Sequence, residues 1–218
     1  MRLLLVALVS LIVVSVAAAA PGDPKKVIVP AIQAKAKAIN VQRSDLPGKG
    51  WKAGPQSSKS STPRCSTYNP NQSDLTENAD VDSPEFSLPS SSSVSSSTGI
   101  FKTAAQGRTA YSRVVIPKLP GCLAEIFQKG AGGPSKVTIL SAGPMASFPK
   151  LADRSNAFRI AASFKASATQ KIPVFIDLVV LNRGKVDTVI FFLGIGGSFS
   201  SSFERALATR VAGRMASV

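Results

Sequence analysis

Chemistry in a chain of 218 residues starts with the side chains able to move protons or donate electron pairs, and this one carries a restricted set. It has no histidine, which excludes Ser-His-Asp and Cys-His catalysis and histidine-held metals. Two cysteines, Cys65 and Cys122, cannot alone build a zinc or iron–sulfur site. Serine is abundant, but no G-x-S-x-G elbow occurs and no S-x-x-K run stands at a credible helix start. Carboxylates for glycoside chemistry would come from Asp74, Glu77, Asp80, Asp82 and Glu85, or from Asp177 and Asp187. The first five read as a solvated acidic loop, because the ligand order and turn glycine of a calcium loop are missing. Asp177 and Asp187 fall inside apolar strand patterns. They are expected to form structural ion pairs with a neighbouring Arg or Lys, with proton affinities perturbed by burial. GAGG (130–133) and GIGGS (194–198) lack the Gly-Lys-Ser/Thr of a phosphate loop and read as turns. The N–H groups ahead of the last helix can still hold an anion. The residues therefore point away from an enzyme, and no cofactor or metal is expected.

Charge is the main global signal. Lys plus Arg is 26 against 12 Asp plus Glu, a formal net charge of +14. Such a balance suits contact with anionic surfaces. It equally serves plain solubility.

The N-terminus indicates where those surfaces lie. Met1-Arg2, the apolar run 3–16 and the small residues Ala17 to Ala20 form a secretory signal, with cleavage expected after Ala19. The alternative is a retained anchor, since the run is near the lower limit for a spanning helix. Export makes nucleic acid an unlikely partner class and favours a disulfide between Cys65 and Cys122. Residues 1–19 are thus read as the signal peptide and 20–44 as a basic tail or linker. Residues 45–218 form a single domain, and 44% hydrophobic residues suffice for its core.

The positioning elements follow from periodicity. AIQAKAKAIN (31–40) fits either a short helix or a mobile basic tail. DLPGKGW (45–51) is a turn leading to Trp51, a core or edge anchor. The Ser-rich run 87–102 is preferred as a strand ending in Gly99-Ile100-Phe101. Thr103 and Gln106 form a capping box for a helix bearing Tyr111, Val114 and Val115. Pro120 opens a second helix, with Cys122, that Gly130 stops. KVTIL (136–140) and AFRIAASFKA (157–166) are strands, the second with one covered and one wet face. PVFIDLVVL (173–181) and VDTVIFFLGI (186–195) form a hairpin across Asn182-Arg183-Gly184-Lys185. Ser201 and Glu204 read as a capping box for a last helix whose Phe203, Leu207, Val211 and Met215 pack on the sheet. The sum is an α+β fold, an antiparallel sheet of about five to six strands covered by two or three helices.

Several runs carry a resemblance. DLPGKGW, NPNQSDLTE, SPEF, GIFKTAAQGRTAYSR with a Cys in the next helix, and LNRGKVD occur in an order similar to bacterial exported PknH-type extracellular sensor domains. The similarity spans roughly residues 41–217, and its motifs are loose. The PsbP-like fold is a second candidate. The first resemblance implies a non-catalytic domain with a ligand cleft over an antiparallel sheet. This chain departs from it in having one potential disulfide where that domain has two. It also lacks an attached kinase and a transmembrane segment after the signal.

The expectation is a secreted, soluble ligand-binding domain of the bacterial envelope. Its partner would be an envelope component such as an anionic lipid or glycan, with contact to the membrane surface open. Arg159 and Lys165, on the wet face of strand 157–166, are the candidate anion contacts. The rivals are a basic structural protein that adheres by charge and a hydrolase without a recognisable motif.

Overall fold

The structure is a computed structural model that describes residues 21–56, 62–89, 92–167 and 169–218. The expected signal peptide, residues 1–19, lies outside the described residues. Among the described residues no helix is long and apolar enough to cross a membrane.

The fold is α+β, with a larger sheet than the sequence suggests. Among the described residues nine strands form it: β1 (Lys25–Lys26), β2 (Lys52–Gln56), β3 (Thr76–Asp82), β4 (Pro84–Ser87), β5 (Ser93–Phe101), β6 (Val137–Pro144), β7 (Arg154–Lys165), β8 (Lys171–Arg183) and β9 (Val186–Ile195). The main order is β1-β3-β5-β9-β8-β7-β6, with β4 pairing β5 and β2. All pairings are antiparallel except β1 with β3. The expected count of five to six fails at the N-terminal end. Residues 76–82, read as solvated acidic loop, are strand β3. Its buried residues are Glu77, Ala79 and Val81, and a bulge after Glu77 turns that acid to the face opposite the other two, so only two apolar residues mark the strand.

Among the described residues four α-helices cover both faces: α1 (Pro30–Ile39), α2 (Ala104–Val114), α3 (Leu119–Gly130) and α4 (Ser201–Met215). Alternation along β8 divides the core. Val179 and Leu181 pack with Ile39 of α1 and with Leu207, Val211 and Met215 of α4. Leu178 and Val180 pack with Tyr111 of α2 and with Leu119 and Cys122 of α3. The 31–40 segment, open between helix and tail, is thus helix α1 with Ala36 and Ile39 in the core. The folded unit takes in residues that the sequence assigns to a tail.

The Ser-rich β5 lies in the middle of the sheet because its hydroxyls are satisfied. Asn40, at the end of α1, accepts from Ser96 Oγ (3.0 Å) and Thr98 Oγ1 (2.7 Å) and donates to the Val81 carbonyl (2.7 Å). Thr98 also meets Thr188 of β9 at 3.0 Å. Buried hydroxyls bonded in this way escape the desolvation penalty.

Several local signals hold. Thr103 caps α2, accepting from Gln106 N–H at 3.2 Å. The β8–β9 hairpin turns at Gly184, whose φ of 57° suits glycine. Trp51 is 9% exposed and stacks near Phe199 and Phe203. The cap of α4 differs from expectation. Ser200 caps it, accepting from Phe203 N–H at 3.3 Å. Glu204 is instead fully buried and faces Arg159.

Helix α2 approaches the hairpin closely at Gly107. A Cβ there would stand 2.7 Å from the Gly184 carbonyl oxygen and 2.9 Å from Lys185 Cα, both backbone atoms. Gly107→Ala should therefore push α2 off the hairpin. The expected loss is about 2 kcal/mol by chemical denaturation, within the range for overpacking. A loss below about 0.5 kcal/mol would show that the helix yields freely.

Candidate functional site

Arg159 and Lys165 share a strand but do not share a site. They lie six positions apart, roughly 20 Å along an extended chain. Lys165 is exposed at the end of β7. Arg159 stands opposite Asp177 in the β7–β8 register and grips it with two hydrogen bonds, Nε to Oδ1 at 2.6 Å and Nη2 to Oδ2 at 2.7 Å. Its Nη2 also reaches Glu204 Oε1 at 3.4 Å. The guanidinium is further placed 5.9 Å from the Phe175 ring centre. Asp177 thus has the ion pair expected of it.

Beneath α4 this cluster holds two carboxylates for one guanidinium. Burial, and then the neighbouring Asp177, push Glu204 up to about 8. Its Oε2 is buried without a hydrogen-bond partner among the described residues.

Asp187 lies on the opposite face of the sheet and does not pair with Asp177. It lines a cavity of about 150 Å³ between α2 and strands β3, β5 and β9. The floor is Gly99, whose register partner on β9 is Asp187 and on β3 is Asp80. The space above that glycine is occupied by Glu77, because a Cβ at position 99 would overlap the Glu77 carboxylate oxygen. A bulge between Glu77 and Ala79 leans the side chain this way. Apolar walls come from Phe101, Tyr111, Val114, Val180 and Val189. The remaining wall is the N-terminal segment at Asp23 and Lys26 and the loop through Thr62, Pro63 and Gln72.

That loop is fixed at several points. The Cys65–Cys122 disulfide ties it to α3. Tyr68 donates its hydroxyl to the Val114 carbonyl of α2 at 2.7 Å. Arg64 holds Asp23 at 2.6 Å. The cavity is therefore bounded by a braced wall.

Its electrostatics are unusual for so basic a chain. Lys26 is engaged by Asp80 in an ion pair. Burial alone would lower the Lys26 ammonium, but Asp80 holds it above its ordinary value. Glu77 is 8% exposed and makes no hydrogen bond or ion pair among the described residues. Burial, reinforced by Asp80, pushes it well above the usual carboxylate range. Burial also pushes Asp187 up to about 8, although Asn182 donates to it at 2.6 Å and Arg154 opposes the shift. Both groups therefore hold their protons to higher pH than a free carboxyl does. A raised carboxyl weakens the fold as pH climbs from its unfolded value of about 4 toward its folded value.

Among the described residues no group of three or more potential ligands is arranged to hold a metal. A second hollow, about 270 Å³, lies between the α2–α3 connection and β6–β7. Pro117, Pro120, Pro144 and Phe158 line it, and no ionisable side chain does.

Sequence reasoning marks Asp187 as a carboxylate in an apolar strand. It names Glu77 only within a solvated acidic loop, gives Tyr111 only a place on a helix face, and misses Lys26 and Gly99. Alternation with Ala79 and Val81 marks Glu77 as buried but assigns it to their face, and the bulge that turns it to the cavity has no mark in the sequence. The chain matches no protein-family model, no curated protein and no solved structure.

Proposed function

We propose that the chain is a secreted, non-catalytic ligand-binding domain of the bacterial cell envelope that takes a small ligand in the cavity over Gly99. The observation that carries this reading is a braced, mostly apolar hollow into which a few polar groups converge, the usual form of a small-molecule site. The sequence resemblance to exported sensor domains points the same way, and a disulfide is compatible with an oxidising compartment. The test is thermal unfolding of the oxidised protein with lipids, glycans and small polar metabolites at low and physiological salt. A ligand that binds only the folded state raises the midpoint by mass action. The expected result is a shift from one chemical class that survives added salt and disappears in Val114→Trp, whose side chain fills the cavity. Shifts that Val114→Trp leaves intact would place the site elsewhere.

A second reading rests on a different observation. Lys35 and Lys37 of α1 and Arg205 of α4 are exposed on the covered face opposite the cavity. With a net charge of +14, that face suits an anionic lipid or glycan surface. It predicts binding to anionic vesicles that falls steeply with salt and is indifferent to Val114→Trp.

A further inference from the structure

We propose that the ligand of this cavity is a small organic cation, a protonated amine carried on a short apolar body. The inference rests on the ligand-binding reading above and names its ligand chemistry.

Three observations converge on it. Glu77 is more than nine-tenths buried, lies over the glycine floor and has no hydrogen-bond donor among the described residues. Its carboxylate borders the cavity, so a bound N–H donor could reach and satisfy it. Asp187 stands next to it across Gly99, about one strand spacing of ~5 Å away, so two carboxylates face the same space. Lys26 attracts Glu77 but is itself bonded to Asp80, and Asp187 is held by the neutral Asn182 with Arg154 acting on it only from farther off, so among the described residues neither acid has an ion pair of its own. An anion would meet two carboxylates here, whereas an ammonium would let both ionise. The rings of Phe101 and Tyr111 and the valines suit an apolar body, and an ammonium gains from an aromatic face.

The rest of the surface makes the site conspicuous. A chain of net charge +14 repels cations in general, so amine binding reports the local acids.

The experiment is calorimetric titration of the oxidised protein with benzylamine and with benzyl alcohol, its neutral analogue. Both are carried to about 10 mM, since ligands this small are expected near the millimolar range. Benzylamine should bind at least tenfold more tightly than the alcohol. Glu77→Gln, which keeps size and removes charge, should lower benzylamine affinity at least tenfold and leave the alcohol unchanged. Gly99→Ala should do the same by displacing the carboxylate. Equal affinities for amine and alcohol, or amine binding that survives Glu77→Gln, would overturn the cationic ligand while leaving the cavity site standing. Failure of both compounds to bind would overturn the site as well.

Discussion

Replacing Cys65 and Cys122 together by serine is expected to lower stability by about 4 kcal/mol and to open the ligand cavity. The bridge closes a loop with a sequence separation of 57. In the chain-entropy account, a cross-link over that distance removes about 4 kcal/mol of conformational freedom from the unfolded state. For a domain of this size the loss corresponds to roughly 8–16 °C in the melting midpoint. The consequence for function follows from where the loop lies. Thr62, Pro63 and Gln72 form a wall of the cavity, and Cys122 is buried in α3 beneath the sheet. Without the bridge, the wall is held to α2 by the Tyr68 hydroxyl at the Val114 carbonyl and by Arg113, which bonds the Asn71 carbonyl at 2.9 Å. Tyr68→Phe in the same background should remove about another 1 kcal/mol. Chemical denaturation of the oxidised, reduced and serine-substituted proteins measures all of this. The denaturant slope should rise when the cross-link is lost, because the unfolded chain exposes more surface. A loss below about 1 kcal/mol would mean that the loop is held by its noncovalent contacts alone.

How far the sequence foretold the molecule depended on whether each element announces itself by apolar period. The hairpin of β8 and β9 did, because both strands are nearly apolar throughout and Gly184 marks their turn. Helix α4 did too, since Leu207, Val211 and Met215 recur at four-residue spacing. Strand β3 did not, because one of its three buried residues is an acid and a bulge turns that acid to the other face. Helix α1 is written in Lys and Ala, and only Ala36 and Ile39 are buried, so its anchoring to Asn40 and β5 is a tertiary fact. Glu204 misled because an acid three residues after a serine also fits a capping box. Here Ser200 already caps the helix, and Glu204 turns inward to Arg159. The cavity was least legible of all. Its acids come from β3 and β9, far apart in sequence, and its floor is a missing side chain on β5. Antiparallel pairing brings them together through β5.

Arg159→Ala should cost about 3 kcal/mol at pH 8.5 and much less at pH 4.5. That figure is the lower end for breaking a buried pair, because the Arg159 side chain is 32% exposed while Asp177 and Glu204 are almost fully buried. Removing it leaves two buried carboxylates facing one another. Glu204 already stands at about 8 with the guanidinium drawing it down, so its proton affinity rises further when that attraction is lost. The sign follows directly. A carboxyl raised in the folded state above its unfolded value of about 4 adds no penalty below that pH. Its penalty grows as pH climbs toward the folded value. In acid Glu204 keeps its proton and adds no second charge to the vacancy, whereas at high pH it must ionise in a buried site or remain protonated at growing cost. Denaturant titrations at the two pH values measure the difference. An equal loss at both would show that the arginine acts by packing its stem, as over the Phe175 ring, rather than by charge. Lys165→Ala, exposed and at the strand end, should stay within about 0.5 kcal/mol at either pH. Loss of an anionic ligand in Arg159→Ala would therefore report a weakened fold unless Lys165→Ala also weakens binding. The triple change Arg159→Met, Asp177→Leu, Glu204→Leu should be neutral or stabilising, because no buried charge is then left to solvate. If instead the triple variant is as unstable as Arg159→Ala, the cluster contributes positively to stability, and a destabilising arrangement held for some other purpose is ruled out.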